Sequence, residues 1–270
     1  MKQKPLISQK PMMEKFQIDN AFDLTGKVAL ITGGGTGIGK ACALGMAEAG
    51  ADIILIGRRE KKLKDVFVQI GKIGRRVQYY IIDVRDILSF QKCIDEVVKK
   101  FGKIDILLNN AGVVIEKPME DVDEKMWDEI MDINLKGAFF AAQTVGRAMI
   151  KQGYGKIINT LSNCSFVAEN GVGVYCASKG GLLLITRSLA LEWAKYGINV
   201  NAIGPAFIST PMNEPLKDNE HFMENSLRRI PFNRMGHPKE VVGAAIYLAS
   251  DSASFVNGHV LMVDGGYLAC

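Results

Sequence analysis

No run in this chain comes near the eighteen or more consecutive apolar residues of a membrane-spanning helix, so no membrane partner is expected. Histidine is scarce: His221, His237 and His259 lie far apart without ligand spacing, and a metal centre has no support. The five cysteines (42, 93, 164, 176, 270) are odd in number, scattered and form no C-x-x-C pair. That pattern argues against a disulfide framework and suits reduced thiols in the cytoplasm. Charge of one sign is not in excess either. The balance of 33 basic and 29 acidic residues leaves +4, and the basic residues are dispersed. A nucleic-acid footprint would need a clustered patch, so the charge reads as a solvated surface. The opening MKQKPLISQKPMMEKFQIDN lacks both the apolar middle of a signal peptide and the arginines of a transit peptide. A disordered leader over 1–21 is expected, with Met12 or Met13 as an alternative start.

What is present is organised around Val28–Lys40, VALITGGGTGIGK. An apolar, β-branched run suits a buried parallel strand. It breaks into Gly33, Gly34, Gly35, Gly37 and Gly39, then resumes with helix-forming residues. Strand, glycine turn and helix bring backbone N–H groups and the positive end of a helix up to a diphosphate, and a Cβ there would hold the phosphates off. The same stretch taken alone is also compatible with an ordinary βα turn.

Further short apolar runs follow at regular intervals: 51–57, 77–83, 104–109, 156–162, 198–203 and 259–263. Between them lie helical stretches at about 38–49, 58–73, 86–101, 122–151, 174–196 and 238–249. Strands alternating with helices of ten residues or more predict an α/β fold: one doubly wound, Rossmann-type parallel sheet of about seven strands with helices on both faces. One such domain over 22–270 is expected. The rhythm breaks only near 205–237, where Pro205, Pro211, Pro215 and Pro231 fall, and this insertion is the natural substrate lid.

Tyr175 and Lys179, in YCASK, are one helical turn apart and share a face. An ammonium beside a phenol favours the phenolate and lowers its pKa, which makes tyrosine a usable general acid/base. Ser162, thirteen residues earlier, could hydrogen-bond the reacting oxygen, with Ser165 as competitor.

TGGGTGIG at 32–39, NNAG at 109–112, Asn134, Ser162 and Tyr175-x-x-x-Lys179, in this order and spacing, resemble the short-chain dehydrogenase/reductase family from about Phe22 to the closing VDGG at 263–266. The resemblance implies a catalytic set. In it Tyr175 is the acid/base, Lys179 tunes it and binds the nicotinamide ribose, Ser162 polarises the carbonyl and Asn134 holds a relay water. It also implies cofactor contacts at Gly33, Gly35, Thr36, Gly37, Ile38 and Gly39, at Asp83 (adenine amine) and Val84, and at Asn110, Ala111 and Gly112. Further contacts are implied at Pro205, Ile208 and Thr210, although Pro205-Ala206 stands where the family usually has Pro-Gly. Two of these have a structural reading as well: Asn134 as an internally satisfied amide, and Asp83 as a helix N-cap for which Asp86 competes.

Cofactor choice has a physical argument. NAD would call for an acidic residue about twenty positions past the glycines, to bond the ribose 2′-hydroxyl. That position holds Gly57, followed by Arg58, Arg59, Lys61 and Lys62. Cations at a helix start oppose its dipole, an anionic ligand would offset this, and an arginine fork suits phosphate. NADP(H) is therefore expected over NAD(H), with Arg58 and Arg59 as contacts.

LASDSASFVNG at 248–258 and VDGGYLA at 263–269 are most similar to sugar and sugar-acid dehydrogenases of the gluconate 5-dehydrogenase and 2-deoxygluconate 3-dehydrogenase kind. The resemblance thus implies hydride transfer between a secondary alcohol and a ketone on a sugar, polyol or sugar acid. Sugar-acid members carry a basic pair soon after NNAG, and here Ile115-Glu116 stands there, which leaves neutral ketoses or polyols open. A 3-oxoacyl thioester (acyl-carrier-protein) reductase is an alternative that would need a basic docking surface. A catalytically silent NADP(H)-binding protein is another, and the complete Ser-Tyr-Lys-Asn set argues against it. The resemblance also implies a homotetramer.

Overall fold

The structure, a computed structural model, describes residues 20–214 and 227–269. The expected leader thus lies almost wholly outside the described residues, as do the middle of the expected lid, His221 and Cys270.

Seven strands form a single parallel sheet: β1 Val28–Thr32, β2 Asp52–Gly57, β3 Val77–Ile81, β4 Ile106–Asn109, β5 Gly155–Thr160, β6 Ile198–Pro205 and β7 Val260–Val263, in the order β3-β2-β1-β4-β5-β6-β7. Because successive side chains point to opposite faces, β1 sends Ala29 and Ile31 into one apolar layer and Val28 and Leu30 into the other. The first layer is closed by α1 Gly37–Glu48, α2 Glu60–Ile73 and, last in the chain, α7 Pro238–Ala249. The second is closed by α3 Ile87–Phe101, α5 Ala138–Gln152 and α6 Gly173–Trp193, with α4 Glu124–Met131 leading into α5. Both faces of the central strands are buried, which is why they read as unbroken apolar runs rather than alternating ones. Among the described residues no helix is long and apolar enough to cross a membrane.

Three departures from the sequence reading bear on the site. β3 ends at Ile81, where its ladder with β2 closes on the Gly57–Ile81 pair, so Asp83 belongs to the loop beyond the strand. β5 ends at Thr160, which leaves Ser162 outside the strand as the cap of a short 3₁₀ turn, Asn163–Ser165. The helical stretch expected over 122–151 is broken at Asp132–Gly137 by a π-helical turn holding Asn134.

The chain runs from β1 outward to β2 and β3, then returns to pair β4 on the other side of β1. Ligands of doubly wound sheets sit in the crevice that such a reversal opens beyond the carboxyl ends of the strands. The glycine turn follows β1 and NNAG follows β4, so both reach that crevice.

Candidate active site

The two loops at the crevice are latched together. Thr32 Oγ1 accepts hydrogen bonds from the backbone N–H groups of Asn110 (2.9 Å) and Ala111 (3.0 Å), while Asn110 Nδ2 donates to the Thr32 carbonyl (3.0 Å). Gly33 sits at φ +67°, and a Cβ there would lie 2.8 Å from Asn110 Nδ2, so glycine alone fits between the loops. Gly39 answers a different need: a Cβ would fall on the Gly33 carbonyl oxygen and Asn110 Nδ2. α1 begins after Thr36 with no side-chain cap and no acidic residue in its first turn. Its first N–H groups and the positive end of its dipole are thereby left for an anion.

A cleft of about 730 Å³ runs from this turn along the ends of the strands. It is lined by all but two of the expected residues: Gly33, Gly35, Thr36, Gly37, Ile38, Arg58, Arg59, Asp83, Val84, Asn110, Ala111, Gly112, Ser162, Tyr175, Lys179, Pro205, Ile208 and Thr210. Gly39 and Asn134 are buried behind the wall. The absence of a side chain at Gly39 lets α1 meet the β1 loop.

At one end of the cleft, Arg59 Nη2 donates to Thr36 Oγ1 (2.9 Å), so its guanidinium spans the glycine turn. Arg58 Nη1 lies 3.6 Å from Asp83 Oδ2. Asp83 is gripped more firmly by Arg85, whose Nη2 donates to Oδ2 at 2.6 Å, and those bonds hold its carboxyl below the ordinary range. Asp86, not Asp83, caps α3, accepting from the Ser89 N–H at 3.0 Å.

At the other end stand Tyr175 and Lys179 on α6, facing Ser162. Lys179 is 4% exposed, donates to the Thr160 carbonyl at 2.7 Å and sits 5.6 Å from the Tyr175 ring centre. Burial pulls its ammonium down to about 8. Tyr175 keeps a face in the cleft although it lies deep in the protein. Burial pushes its phenol up, and a hydrogen bond from Ser162 opposes that. Burial thus acts on both groups in the same sense, favouring the neutral phenol and the neutral amine. Ser162 Oγ is also bonded to Asn163 Oδ1 (2.8 Å), and a hydroxyl has a single proton to give, so Ser162 can turn it to either neighbour. Ser165 Oγ accepts from the Ser162 N–H (3.3 Å) and so supports Ser162.

Asn134 is fully buried. Its Oδ1 accepts from the Val113 N–H (2.8 Å) and its Nδ2 donates to the Val113 carbonyl (2.8 Å) and Ser178 Oγ (3.2 Å). Both amide protons are committed, so the side chain pins the loop after NNAG to α6. The side chain is thus satisfied within the protein. Sequence reasoning missed Asn163, Cys164 and Glu169, which join the same wall. The available signal was their place in the loop between Ser162 and Tyr175.

An uncapped helix start at a switch point, with a cleft-facing tyrosine over a buried lysine further along the same cleft, defines a nucleotide-binding α/β oxidoreductase. The comparisons agree. A family model described as "Enoyl-(Acyl carrier protein) reductase" matches residues 33–268. The chain is 44% identical to 2-dehydro-3-deoxy-D-gluconate 5-dehydrogenase of Dickeya dadantii, over 93% of this chain and 98% of that protein. It is 42% identical to an NAD-dependent glycerol dehydrogenase of Listeria innocua, over 92% and 96%. The crystal structure of a gluconate 5-dehydrogenase from Burkholderia cenocepacia in complex with NADP and tartrate superposes with a TM-score of 0.90 at 39% identity, covering 93% of this chain and 98% of that one. The chain belongs to the short-chain dehydrogenase/reductase family and is an oxidoreductase acting on CH–OH/C=O groups.

Proposed function

We propose that this protein uses NADP(H) to interconvert a secondary alcohol and a ketone on a sugar, polyol or sugar acid. The observation that carries this is one cleft with Arg58, Arg59 and Lys62 at one end and Tyr175, Lys179 and Ser162 at the other. The residues fit a dinucleotide. The uncapped start of α1 would receive the diphosphate, and the side chains of Arg58 and Arg59 would receive a 2′-phosphate. The bound nicotinamide would supply or accept the hydride.

In the reducing direction the Tyr175 O–H gives its proton to the substrate oxygen, and Ser162 turns its hydroxyl from Asn163 to the same oxygen. Lys179, held by Thr160, stabilises the phenolate that results. In the oxidising direction these transfers reverse. A phenol raised by burial suits the role of acid, and Ser162 and Lys179 are placed to stabilise the phenolate that serves as base in the reverse direction.

Several observations support the finer reading. No acidic residue stands at the end of β2, and the Burkholderia structure is named with NADP, while the Listeria relative is named as NAD-dependent. For assembly, α6 exposes Leu184 and Leu191, seven residues apart on one face, which suits pairing with a second copy in a homotetramer. The unpaired thiols of the four described cysteines agree with a cytoplasmic setting.

The test is cofactor oxidation at 340 nm (a wavelength set by the cofactor) with a carbonyl panel and Tyr175→Phe as control. Loss of turnover by about 10²–10⁴-fold in the variant is expected. Unchanged turnover would sink the assignment. Arg58→Ala with Arg59→Ala should raise KM for NADPH at least about tenfold and leave NADH unaffected; equal effects on both would refute the 2′-phosphate role.

A further inference from the structure

The charge along the cleft is divided. Among the described residues, the cations lining it are Arg58, Arg59 and Lys62 at the adenine end and Lys179 beneath Tyr175. The wall beyond Tyr175 receives carboxylates instead, Glu116 from the loop after β4 and Glu169 from the loop after β5. Of the cations on neighbouring segments, Lys117 Nζ lies 3.3 Å from Asp123 Oδ2, and the Arg229 guanidinium lies 4.4 Å from the centre of the Tyr267 ring.

Glu169 is built in, and the more exposed Glu116 lies on a loop tied to the same segment. The Lys117 N–H donates to the Gly171 carbonyl at 2.7 Å, which stitches the two loops together. The Glu116 side chain rests over Gly171, where a Cβ would come within 2.9 Å of Glu116 Cγ and 3.3 Å of Oε1. Glu169 Oε1 accepts from Asn163 Nδ2 (2.6 Å) and from the Tyr267 hydroxyl (2.5 Å). Tyr267 is itself buried and packs on Phe207 with ring centres 6.1 Å apart. Both protein bonds fall on Oε1, so Glu169 Oε2 has no protein partner among the described residues. The Glu169 charge also reaches the reacting group, adding to the rise of the Tyr175 phenol.

A fixed carboxylate with a vacant oxygen accepts strongly from hydroxyls and cannot donate to anions. A carboxylate substrate would meet like charge where the cleft is partly shielded from water. We infer that Glu116 and Glu169 form a hydroxyl-accepting wall that selects uncharged polyhydroxylated ketones and alcohols and rejects aldonate-type carboxylates. The inference rests on the oxidoreductase reading above and gives its substrate class.

The experiment compares sorbose and fructose with 5-ketogluconate under NADPH for the full chain, Glu116→Gln, Glu169→Gln and the double variant. Glutamine keeps the acceptor oxygen and the shape while deleting the charge. The unaltered protein should favour a neutral ketose by at least about tenfold in kcat/KM, and the double variant should shrink that ratio by a similar factor, chiefly through a better keto-acid KM. KM for NADPH should not move. High salt should narrow the ratio in the unaltered protein and not in the double variant. A keto-acid preference in the unaltered protein, or a ratio untouched by both substitutions, overturns the wall.

Saturation-transfer NMR of sorbitol and gluconate with NADP present separates this from failure of the activity itself. Sorbitol bound in preference to gluconate, with the preference lost in the double variant, upholds the wall even if no panel member turns over. Equal binding of both overturns it.

Discussion

Replacing Lys179 by methionine should abolish activity and yet stabilise the fold at neutral pH. The ammonium is 4% exposed, and burial brings it from 10.5 to about 8. At 1.36 kcal/mol per pKa unit, keeping that charge inside costs the folded state about 3 kcal/mol below pH 8. The bond to the Thr160 carbonyl offsets about 1 kcal/mol of this and is lost with the side chain. Methionine matches the stem and carries no charge, so the net gain at pH 7 should be about 1–2 kcal/mol, or about 2–6 °C in Tm for a chain of this size.

The sign has a pH signature. Between pH 8 and 10.5 the unfolded lysine binds more protons than the folded one, so the unaltered protein gains stability as pH rises through that window. The variant has no such contribution, and its advantage should be complete below pH 8 and gone above 10.5. Denaturant melts of both proteins at pH 7, 8, 9 and 10 read the difference directly, because every other titrating group is shared. A variant less stable at pH 7, or an advantage independent of pH, would refute the reasoning. A gain in stability with a loss of function is expected where a buried charge is kept for chemistry.

Four further outcomes follow from the packing at and behind the cleft. Gly39→Ala should lower stability by about 1–3 kcal/mol, because its Cβ meets backbone at the Gly33 carbonyl, and should weaken dinucleotide binding; an unchanged melt would show that α1 can shift freely. Asn134→Ala strips the partners from both backbone groups of Val113 and should cost about 2–4 kcal/mol by denaturation, together with activity. Asp86→Ala, which removes the α3 cap, should cost about 1 kcal/mol and leave kcat unchanged, whereas Asp83→Ala should leave α3 intact and disturb the adenine end, read as the KM for cofactor.

The parts of the site that were legible in the sequence are those held by local geometry. The glycine turn, NNAG and Tyr175-x-x-x-Lys179 each sit where a strand ends or on one helical face, so their spacing carries their placement. Burial of Tyr175 and Lys179, which favours the neutral form of each, is not visible in the spacing of the two residues. Arg85, two residues on, holds the Asp83 carboxylate through bonds that the sequence pattern alone does not show.

The sequence by itself determined the order of strands and helices, the parallel sheet, the crevice at the turn after β1 and the family. It could do so because apolar periodicity and turn chemistry act over a few neighbouring residues. Only the tertiary structure decided that Gly39 packs against the Gly33 carbonyl and Asn110, that Asn134 serves Val113 twenty-one residues away, and that Glu169 is fixed by Tyr267, ninety-eight residues on. Those pairings exist only once the sheet has closed and brought distant loops together, and no local pattern encodes which loops will meet.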